Sequence, residues 1–416
     1  MFQIETLGER IRKLRKQKKM TLEALAGEEI TKGMLSLIEN NKANPSMESL
    51  TYIAERLGVE VAVLMESVSS QELREVLEEA EKLYNIEFEQ KTDEYKRIIT
   101  LVAPYIDKLT QGYEAARLLE MYSRCVYHEK SAGWEELSDR AAEIYEQMNL
   151  TAKRADVGLF RAMVKFSEHD YAQSLNILLR ERAEVEANHA YIDPMTHVDF
   201  DYHEALLHFA IGDTESATRV MESAIDYSKK HRIFYRIDDL YRIAAASAMM
   251  TGNDEKKLYY TKKLKQYGDF ADDLHSIIFY DLINAETLIT EDDYVGALEI
   301  IDPYLSDPRL RENYGNWFYL GKGKSLYGLG RYEEALHWLE KIIIPSYAHH
   351  PFDLSLFFVM DSYKALCHMH LGNPDEALES AKLAVKNIAP LPHTPFKDFI
   401  HKTYQAIEKT KPAVDF

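Results

Sequence analysis

Cysteine is scarce in this sequence, and its placement excludes two classes of stabilised domain. The 416 residues include two cysteines, Cys125 and Cys367, which lie far apart and have no CxxC neighbour. A disulfide framework requires several cysteine pairs, and a structural zinc site requires cysteine or histidine ligands at short, regular spacings. We therefore expect no disulfide, no bound metal and a reducing, cytoplasmic environment.

Long apolar runs and catalytic motifs are missing as well. No segment approaches the roughly 20 apolar residues that a membrane-spanning helix needs, and the charged start around Arg10 and Lys13 predicts no secretory signal. The chain contains no P-loop, nucleophile elbow, HExxH or dinucleotide fingerprint. The glycines of 321–325 fit close packing in a helix better than a phosphate loop. The sequence therefore predicts a protein that is not an enzyme, needs no cofactor and is not embedded in a membrane.

The sequence has fewer basic than acidic residues, and the excess of acidic residues is unevenly distributed along the chain. The chain carries a formal net charge of −19, with 50 Lys+Arg against 69 Asp+Glu. Residues 1–66 are neutral, so the excess acidity lies in residues 67–416. Many of the N-terminal cations fall between Arg10 and Lys19. Because an acidic body repels phosphate, any nucleic-acid contact is predicted to be confined to the N-terminal segment.

The N-terminal segment has the pattern of five short helices. Leu7, Ile11 and Leu14 recur at helical spacing and predict a first helix that buries this stripe and turns its cations outward. Capping residues delimit the helices that follow, with N-caps at Thr21, Thr31 and Ser46, a C-cap at Gly58 and a turn at Gly27. Val61 and Leu64 indicate a short fifth helix.

These segments resemble the lambda-repressor-like (Xre-type) helix-turn-helix domain. The matching stretches, in order, are LGERIRKLR, TLEALA, MLSLIE and NPSMESLTYIAERLGV, which together span about 60 residues. The step from Ala26 to Ile30 is one residue shorter than in the usual pattern, and in this the sequence is similar to peptide-pheromone-sensing regulators. The resemblance implies that residues 1–66 bind double-stranded DNA.

The docking geometry of that family places the N-terminal end of the third helix in the major groove. Carried over to this sequence, it implies that Lys32 donates to guanine and Ser36 to either base type, whereas Gly33 offers no side chain. Part of the specificity is then expected to come from DNA shape. The implied DNA-contacting set, for each of which solvated surface is the alternative, is Arg10, Lys13, Thr21, Thr31, Lys32, Gly33, Ser36, Asn40, Asn41 and Lys42.

Residues 73–416, which follow a predicted linker at 67–72, have the pattern of helical repeats. Ser69-x-x-Glu72 is a capping box for the first helix. GRYEEALHWLEKII at 330–343 has the second-helix signature of a tetratricopeptide repeat. The position of its small residue, Ala335, recurs every 37 to 43 residues, where Ser174, Ala217, Ala297 and Ala377 stand and, in weaker copies of the motif, Leu137 and Lys257. The predicted fold class is all-α, a helix-turn-helix domain followed by a right-handed TPR-like α-solenoid; an irregular all-α domain is the alternative.

The first helices of such repeats line a concave groove, where a ligand or partner binds. The repeat register places polar and aromatic side chains there, at Asp199, Tyr202, Asp239, Arg242, Asn284, Glu286, Asn316, Trp317, Lys324 and Ser362. An asparagine amide both donates to and accepts from a peptide backbone, and aromatic rings receive apolar side chains. Each residue taken singly also fits a structural role in the repeats.

The two parts together resemble the Rap/Rgg/NprR/PlcR/PrgX superfamily of quorum-sensing regulators, most of all its PlcR and NprR members. The resemblance implies that a short signalling peptide binds the groove and changes how a homo-oligomer, a dimer or larger, associates on a palindromic operator. A second hypothesis is that the solenoid sequesters or dephosphorylates a response regulator of the sporulation phosphorelay. A third is a helical scaffold without a small ligand.

Overall fold

The computed structural model describes residues 6–65, 70–86 and 91–409. Within these ranges the chain forms helices joined by turns and contains no strand. No helix of these ranges combines the length and apolarity needed to cross a membrane. The chain divides into two compact units, Met1–Val157 and Gly158–Phe416. The predicted all-α fold class is confirmed.

Five short helices at the start of the first unit form the helix-turn-helix domain. They are α1 (Leu7–Gln17), α2 (Leu22–Ala26), α3 (Lys32–Glu39), α4 (Met47–Leu57) and α5 (Val61–Met65). Thr21, Thr31 and Ser46 cap α2, α3 and α4, because each side-chain oxygen accepts a backbone N–H of the first turn. Gly58 ends α4 in the left-handed conformation. The predicted helices and caps are therefore present.

A single apolar core holds these five helices together. Ile11, Leu25, Leu35 and Ile53 are fully buried in it. The turn between α2 and α3 is set by Gly27, whose φ is +59°, and a Cβ there would lie 2.1 Å from the Tyr52 hydroxyl. Only glycine fits this turn, since a side chain meets both an unfavourable backbone conformation and a steric clash.

The rest of the first unit consists of helices of the repeat type. They are α6 (Ser70–Tyr84), α7 (Glu94–Val102), a 3-10 helix (Ala103–Lys108), α8 (Tyr113–His128) and α9 (Trp134–Gln147), and α10 (Thr151–Ser167) contains the boundary between the units. Leu118, Leu119 and Tyr145 lie in their core. The predicted capping residue Ser69 and positions 67–69 of the predicted linker lie outside the described residues.

The second unit continues with paired helices. They are α11 (Tyr171–Asn188), α12 (Pro194–Ala210), α13 (Thr214–His231), α14 (Ile237–Met250), α15 (Asp254–Ala271), α16 (Leu274–Thr290), α17 (Tyr294–Ser306), α18 (Pro308–Gly328), α19 (Tyr332–Leu339), α20 (Pro351–His370), α21 (Pro374–Ile388) and α22 (Pro395–Lys409). Each of α12, α14, α16, α18 and α20 packs against the helix that follows it, and each of the first four also packs against the next of these five helices. We call these five helices the first-helix layer.

The predicted repeat register is confirmed at most positions. Ala217, Ala297, Ala335 and Ala377 are buried near the start of α13, α17, α19 and α21, where a small residue lets the paired helices approach. The register is wrong by one residue in α9, where Ser138 is buried and Leu137 is only partly so. Ser138, Ala142 and Tyr145 give the buried spacing that Ala217, Met221 and Ala224 have in α13.

The N-terminus of α20 packs against helices that lie about 150 residues earlier in the chain. The His350 ring accepts from the Phe352 N–H and faces the carbonyl of Leu206 at 3.3 Å. Burial lowers the pKa of His350 to about 4, so the ring is neutral and its other nitrogen donates to Leu206. Tyr171 donates to the carbonyl of His349 at 2.8 Å. The last helix of the first-helix layer therefore contacts the first, α12.

Candidate nucleic-acid interface and ligand site

One face of α3 is exposed and carries the side chains that the docking geometry assigns to the major groove. Thr31 caps the helix by accepting from the Met34 N–H at 3.1 Å, and Lys32 and Gly33 are exposed in its first turn. A Cβ at Gly33 would meet no atom within 4 Å. Lys32 forms an exposed ion pair with Glu23 at 2.6 Å, an interaction weak enough in water to be exchanged for a stronger partner.

Two exposed apolar residues share this face and were missed by the sequence analysis. Met34 and Leu37 are 47% and 44% exposed. Apolar side chains on a recognition helix contact the methyl group of thymine in the major groove. Their exposure was not evident from the sequence, because the segment MLSLIE alternates between core and surface and Leu35 and Ile38 take the core positions.

A buried ion pair fixes α3 against α1. Arg15 donates to Glu39 through Nε at 2.6 Å and Nη2 at 2.8 Å, and its Nη1 donates to the carbonyl of Met20. The hydrogen bonds to Glu39 raise the pKa of the Arg15 guanidinium. Such a bidentate pair restricts the orientation of both helices. Arg15 therefore positions α3 and is not one of the cations exposed to solvent.

The expected phosphate contacts divide into exposed and buried positions. Lys13, Thr21 and Lys42 are exposed, and Asn40 caps the C-terminus of α3. The expected phosphate contact of Arg10 has to be corrected, because this residue is only 4% exposed and donates to the carbonyl of Leu64 at 2.8 Å. Its guanidinium ties α1 to the end of α5 and presents no surface to a phosphate.

Asn41 also has a structural role beside the predicted interface. Its φ is +56°, and its side chain donates to Thr6 at 2.6 Å and accepts from the Gly8 N–H at 3.2 Å. Asn tolerates the left-handed conformation better than most residues. The segment after α3 is therefore fastened to the start of α1.

In the first-helix layer, four of the predicted ligand residues are brought together. Asp199 and Tyr202 of α12 meet Asp239 and Arg242 of α14, joined by two residues that the sequence analysis missed. We call the set of Asp199, Tyr202, Arg236, Asp238, Asp239 and Arg242 the Asp–Arg cluster. Arg236 bonds to Asp199 and, at 2.9 Å, to Asp239, and its guanidinium lies 4.7 Å from the Tyr202 ring centre.

In the Asp–Arg cluster, the negative charge of the Asp238 carboxylate has little positive charge close to it. Arg242 forms an ion pair with Asp239 and lies 3.5 Å from Asp238. Burial, and then the charge of Asp239, raise the pKa of the Asp238 carboxyl, whereas Arg242 lowers it. The Arg242 guanidinium therefore lies against two adjacent carboxylates, those of Asp238 and Asp239.

A second group lies further along the layer. Lys324 of α18 forms an ion pair with Glu286 of α16 and lies over the ring of Tyr363 at 5.7 Å. Asn284, two residues before Glu286, is partly exposed, and its amide has no hydrogen-bond partner among the described residues. Asn284 is therefore an amide of this layer that is available to a ligand backbone.

The other predicted ligand residues have contacts of their own. Asn316 accepts from the Ile343 N–H at 2.8 Å. The Trp317 ring contacts the Phe357 ring at an angle of 47°, with ring centres 4.4 Å apart, and its N–H faces the Tyr347 hydroxyl at 3.4 Å. The expected ligand contact of Ser362 has to be corrected, because this residue has no exposed surface and so presents nothing to a ligand.

Two features define the class of protein: a helix-turn-helix domain in the first 65 residues and the helical repeats that follow it. The family model of a helix-turn-helix domain matches residues 8–67. The predicted resemblance holds for the architecture, in which this domain precedes TPR-like helical repeats. A search of curated proteins gives no match.

The solved structures that this chain matches include two complexes with DNA. PlcR of Bacillus thuringiensis, in complex with the peptide PapR7 and DNA, is 18% identical, covers 64% of this chain and 96% of its own, and has a TM-score of 0.34. ComR of S. thermophilus, in complex with DNA and its signalling peptide ComS, is 17% identical over 68% of this chain and 99% of its own, with a TM-score of 0.30. A tetratricopeptide repeat protein of Parabacteroides merdae is 11% identical, and the match covers 76% of this chain and 98% of that protein's chain, with a TM-score of 0.42.

Proposed function

We propose that this protein is a cytoplasmic transcription regulator, not an enzyme, whose DNA binding is gated by a short peptide. The observation that carries the proposal is the exposed face of α3, where Lys32, Gly33, Met34 and Leu37 stand on a helix held by buried contacts. An exposed recognition helix on a rigid core is what major-groove binding requires. Each protomer inserts α3 into one half-site of a palindromic operator.

The peptide part of the proposal is supported by the first-helix layer. Asn284 offers a free amide to a peptide backbone, and Tyr202 and Trp317 offer aromatic surface to apolar side chains. Polar groups of α12, α14, α16 and α18 offer several hydrogen-bonding sites along this layer to a short peptide. Peptide binding there changes the association of the protomers and so the spacing of their two recognition helices.

The DNA part is tested by selection from a pool of randomised 40-base-pair duplexes, using the full chain. The wild type is expected to enrich two symmetric half-sites. Lys32→Ala should lower affinity for the selected duplex about tenfold, the loss of one good base contact. Lys262→Ala, which removes an exposed lysine of α15, is the matched control and should bind as the wild type does. No enrichment by the wild type, or equal binding by both variants, would overturn the assignment of α3.

A further inference from the structure

Two histidines that are 180 residues apart in the sequence meet within the second unit. His169 lies in the turn between α10 and α11, and His349 lies in the connection between α19 and α20. Nε2 of His169 is 3.4 Å from Nδ1 of His349. His169 is exposed and His349 is partly exposed, so the pair is accessible to solutes. The expectation of no bound metal rested on ligands at short spacings, which cannot reveal a pair formed by folding.

The distance between the two nitrogens fits a pair of metal ligands better than a hydrogen bond. A hydrogen bond from a ring N–H usually spans about 2.7 to 3.2 Å, which is shorter than the observed separation. Two nitrogens bound to zinc at about 2.0 to 2.1 Å, and separated by the tetrahedral angle, lie about 3.3 to 3.4 Å apart. The two imidazoles therefore have the spacing of adjacent ligands of one ion.

Aromatic contacts hold both rings in place. The His169 ring stacks on the Tyr171 ring with ring centres 5.9 Å apart, and the His349 ring makes an edge contact with Phe166 at 6.3 Å. The Tyr171 hydroxyl also donates to the carbonyl of His349 at 2.8 Å, so one tyrosine contacts both histidines. Ligands that are oriented before the ion arrives lose little conformational entropy when it binds.

The backbone of His169 is a second indication that its side chain has a role. It adopts the left-handed conformation, with a φ of +64°, which is unfavourable for a residue with a Cβ. In most of the corresponding turns of the second unit this position is a glycine, at Gly212, Gly252, Gly330 and Gly372. A histidine therefore stands where the turn favours glycine, and its ring nitrogen faces His349.

The protonation state of the pair suits a metal ion near neutral pH. An imidazole binds a metal through an unprotonated nitrogen. Burial, and then the charge of His169, lower the pKa of His349, so its ring is neutral at pH 7. No group of three or more His, Cys, Asp or Glu side chains among the described residues could hold a metal, so water fills the other ligand positions. Two imidazoles favour an ion such as Zn²⁺ over Mg²⁺ or Ca²⁺.

We propose that His169 and His349 together bind one divalent cation of the zinc type, which joins the α10–α11 turn to the connection before α20. This site goes beyond the proposed function and does not depend on it. Because binding to one imidazole brings the ion close to the other, the pair binds more tightly than either histidine alone. The ion adds a link beside the contact between His350 and Leu206 of α12 and so stabilises the packing of α20 against the earlier helices.

The test is isothermal titration calorimetry of the full chain, without a histidine tag, with zinc chloride at pH 7.4. The wild type is expected to bind one ion most tightly, and His169→Asn and His349→Asn should each weaken this binding at least tenfold. Asparagine suits position 169 because it tolerates the left-handed conformation. His337→Asn, at an exposed histidine of α19, is the matched control and should bind as the wild type does.

Amide hydrogen exchange distinguishes a bridging ion from zinc bound elsewhere. Zinc should slow exchange in residues 168–172 and also in residues 346–350 of the wild type, and in neither segment of the two variants. Zinc affinity unchanged in His169→Asn or in His349→Asn would overturn the inference, as would protection confined to one segment or a wild type that binds no zinc. Each of these results would leave the proposed peptide-gated DNA binding untouched.

Discussion

Glu39 of α3 lies almost fully buried under the guanidinium of Arg15 of α1, so a shielded salt bridge ties the recognition helix to the rest of its domain. The two parallel hydrogen bonds allow little rotation of α3 about its axis. The face that carries Lys32 and Leu37 is therefore held in one orientation before DNA binds. This pair is structural, although both residues are charged and close to the proposed interface.

Replacing Arg15 should consequently weaken the helix-turn-helix domain. Arg15→Ala leaves the Glu39 carboxylate buried without a counter-charge, which costs about 3 kcal/mol in comparable buried pairs. Amide hydrogen exchange of α1 and α3 in the full chain should accelerate accordingly, by about a hundredfold. Lys16→Ala, at an exposed position of the same helix, is the control and should change exchange little. Equal protection in the two variants would show that the salt bridge does not hold α3.

Two glycines of the domain should respond in opposite directions to alanine. Gly27→Ala places a Cβ against the Tyr52 hydroxyl at a φ of +59°, so we expect a loss of about 3 kcal/mol of stability. Gly33→Ala adds a methyl group in open space within α3, so we expect a gain of about 0.5 to 1 kcal/mol. Denaturant unfolding monitored by exchange of α2 and α3 amides measures both. Destabilisation by Gly33→Ala would mean that its surroundings are not open.

Gly33→Ala also separates stability from recognition. Because the added methyl group stands on the exposed face of α3, the variant is expected to fold better and to bind the selected duplex with altered affinity. Binding equal to that of the wild type would indicate that this face does not approach the bases closely.

The carboxylate of Asp353, in the first turn of α20, has no ion pair or hydrogen bond among the described residues, which predicts a pH-dependent difference in stability. Its pKa is about 7 in the folded protein and near 3.8 in the unfolded chain. Folding is therefore penalised increasingly as pH rises from about 4 to 7, and the penalty is constant above that. The groups that face it are Tyr171, Tyr202 and Arg242, which keep their charge states over this range.

Asp353→Asn removes this penalty. At pH 8 the variant should be more stable than the wild type, with an upper bound of about 4 kcal/mol from the raised pKa. The difference should shrink as the pH is lowered to 5. Thermal unfolding midpoints across this range measure it, with Asp226→Asn, at an exposed aspartate of α13, as the control. A wild type that is more stable than Asp353→Asn at pH 8 would mean that the carboxylate has a partner.

Much of the fold could be predicted from the sequence, because its signals are local. Thr21, Thr31 and Ser46 mark helix starts through their own side chains, and the small residue of each second helix recurs at a regular spacing. The shift from Leu137 to Ser138 in α9 arose because two neighbouring residues both fit the weaker copy of the motif. Ser138 is the smaller of the two, and it takes the buried position against the paired helix.

The candidate sites could be predicted only in part, because the positions of some of their residues depend on contacts between segments that are far apart in the sequence. Arg10 fits a solvated stripe by local periodicity, yet it is buried because the end of α5 returns to α1. His349 meets His169 only because the connection before α20 packs against a turn 180 residues earlier. Arg236 precedes α14 in a turn with a φ of +57°, outside the repeat register. Local patterns contain no information about such contacts.

The central claim, that a peptide gates DNA binding, is tested most directly by fluorescence anisotropy of the selected duplex with the full chain. Titrations are run with and without a heptapeptide that the wild type retains from a randomised pool, and the mass of each complex is measured in parallel. In the wild type we expect the peptide to change operator affinity at least fivefold, or to change the number of protomers bound per duplex. Identical affinity and stoichiometry at peptide concentrations that saturate the protein would contradict it.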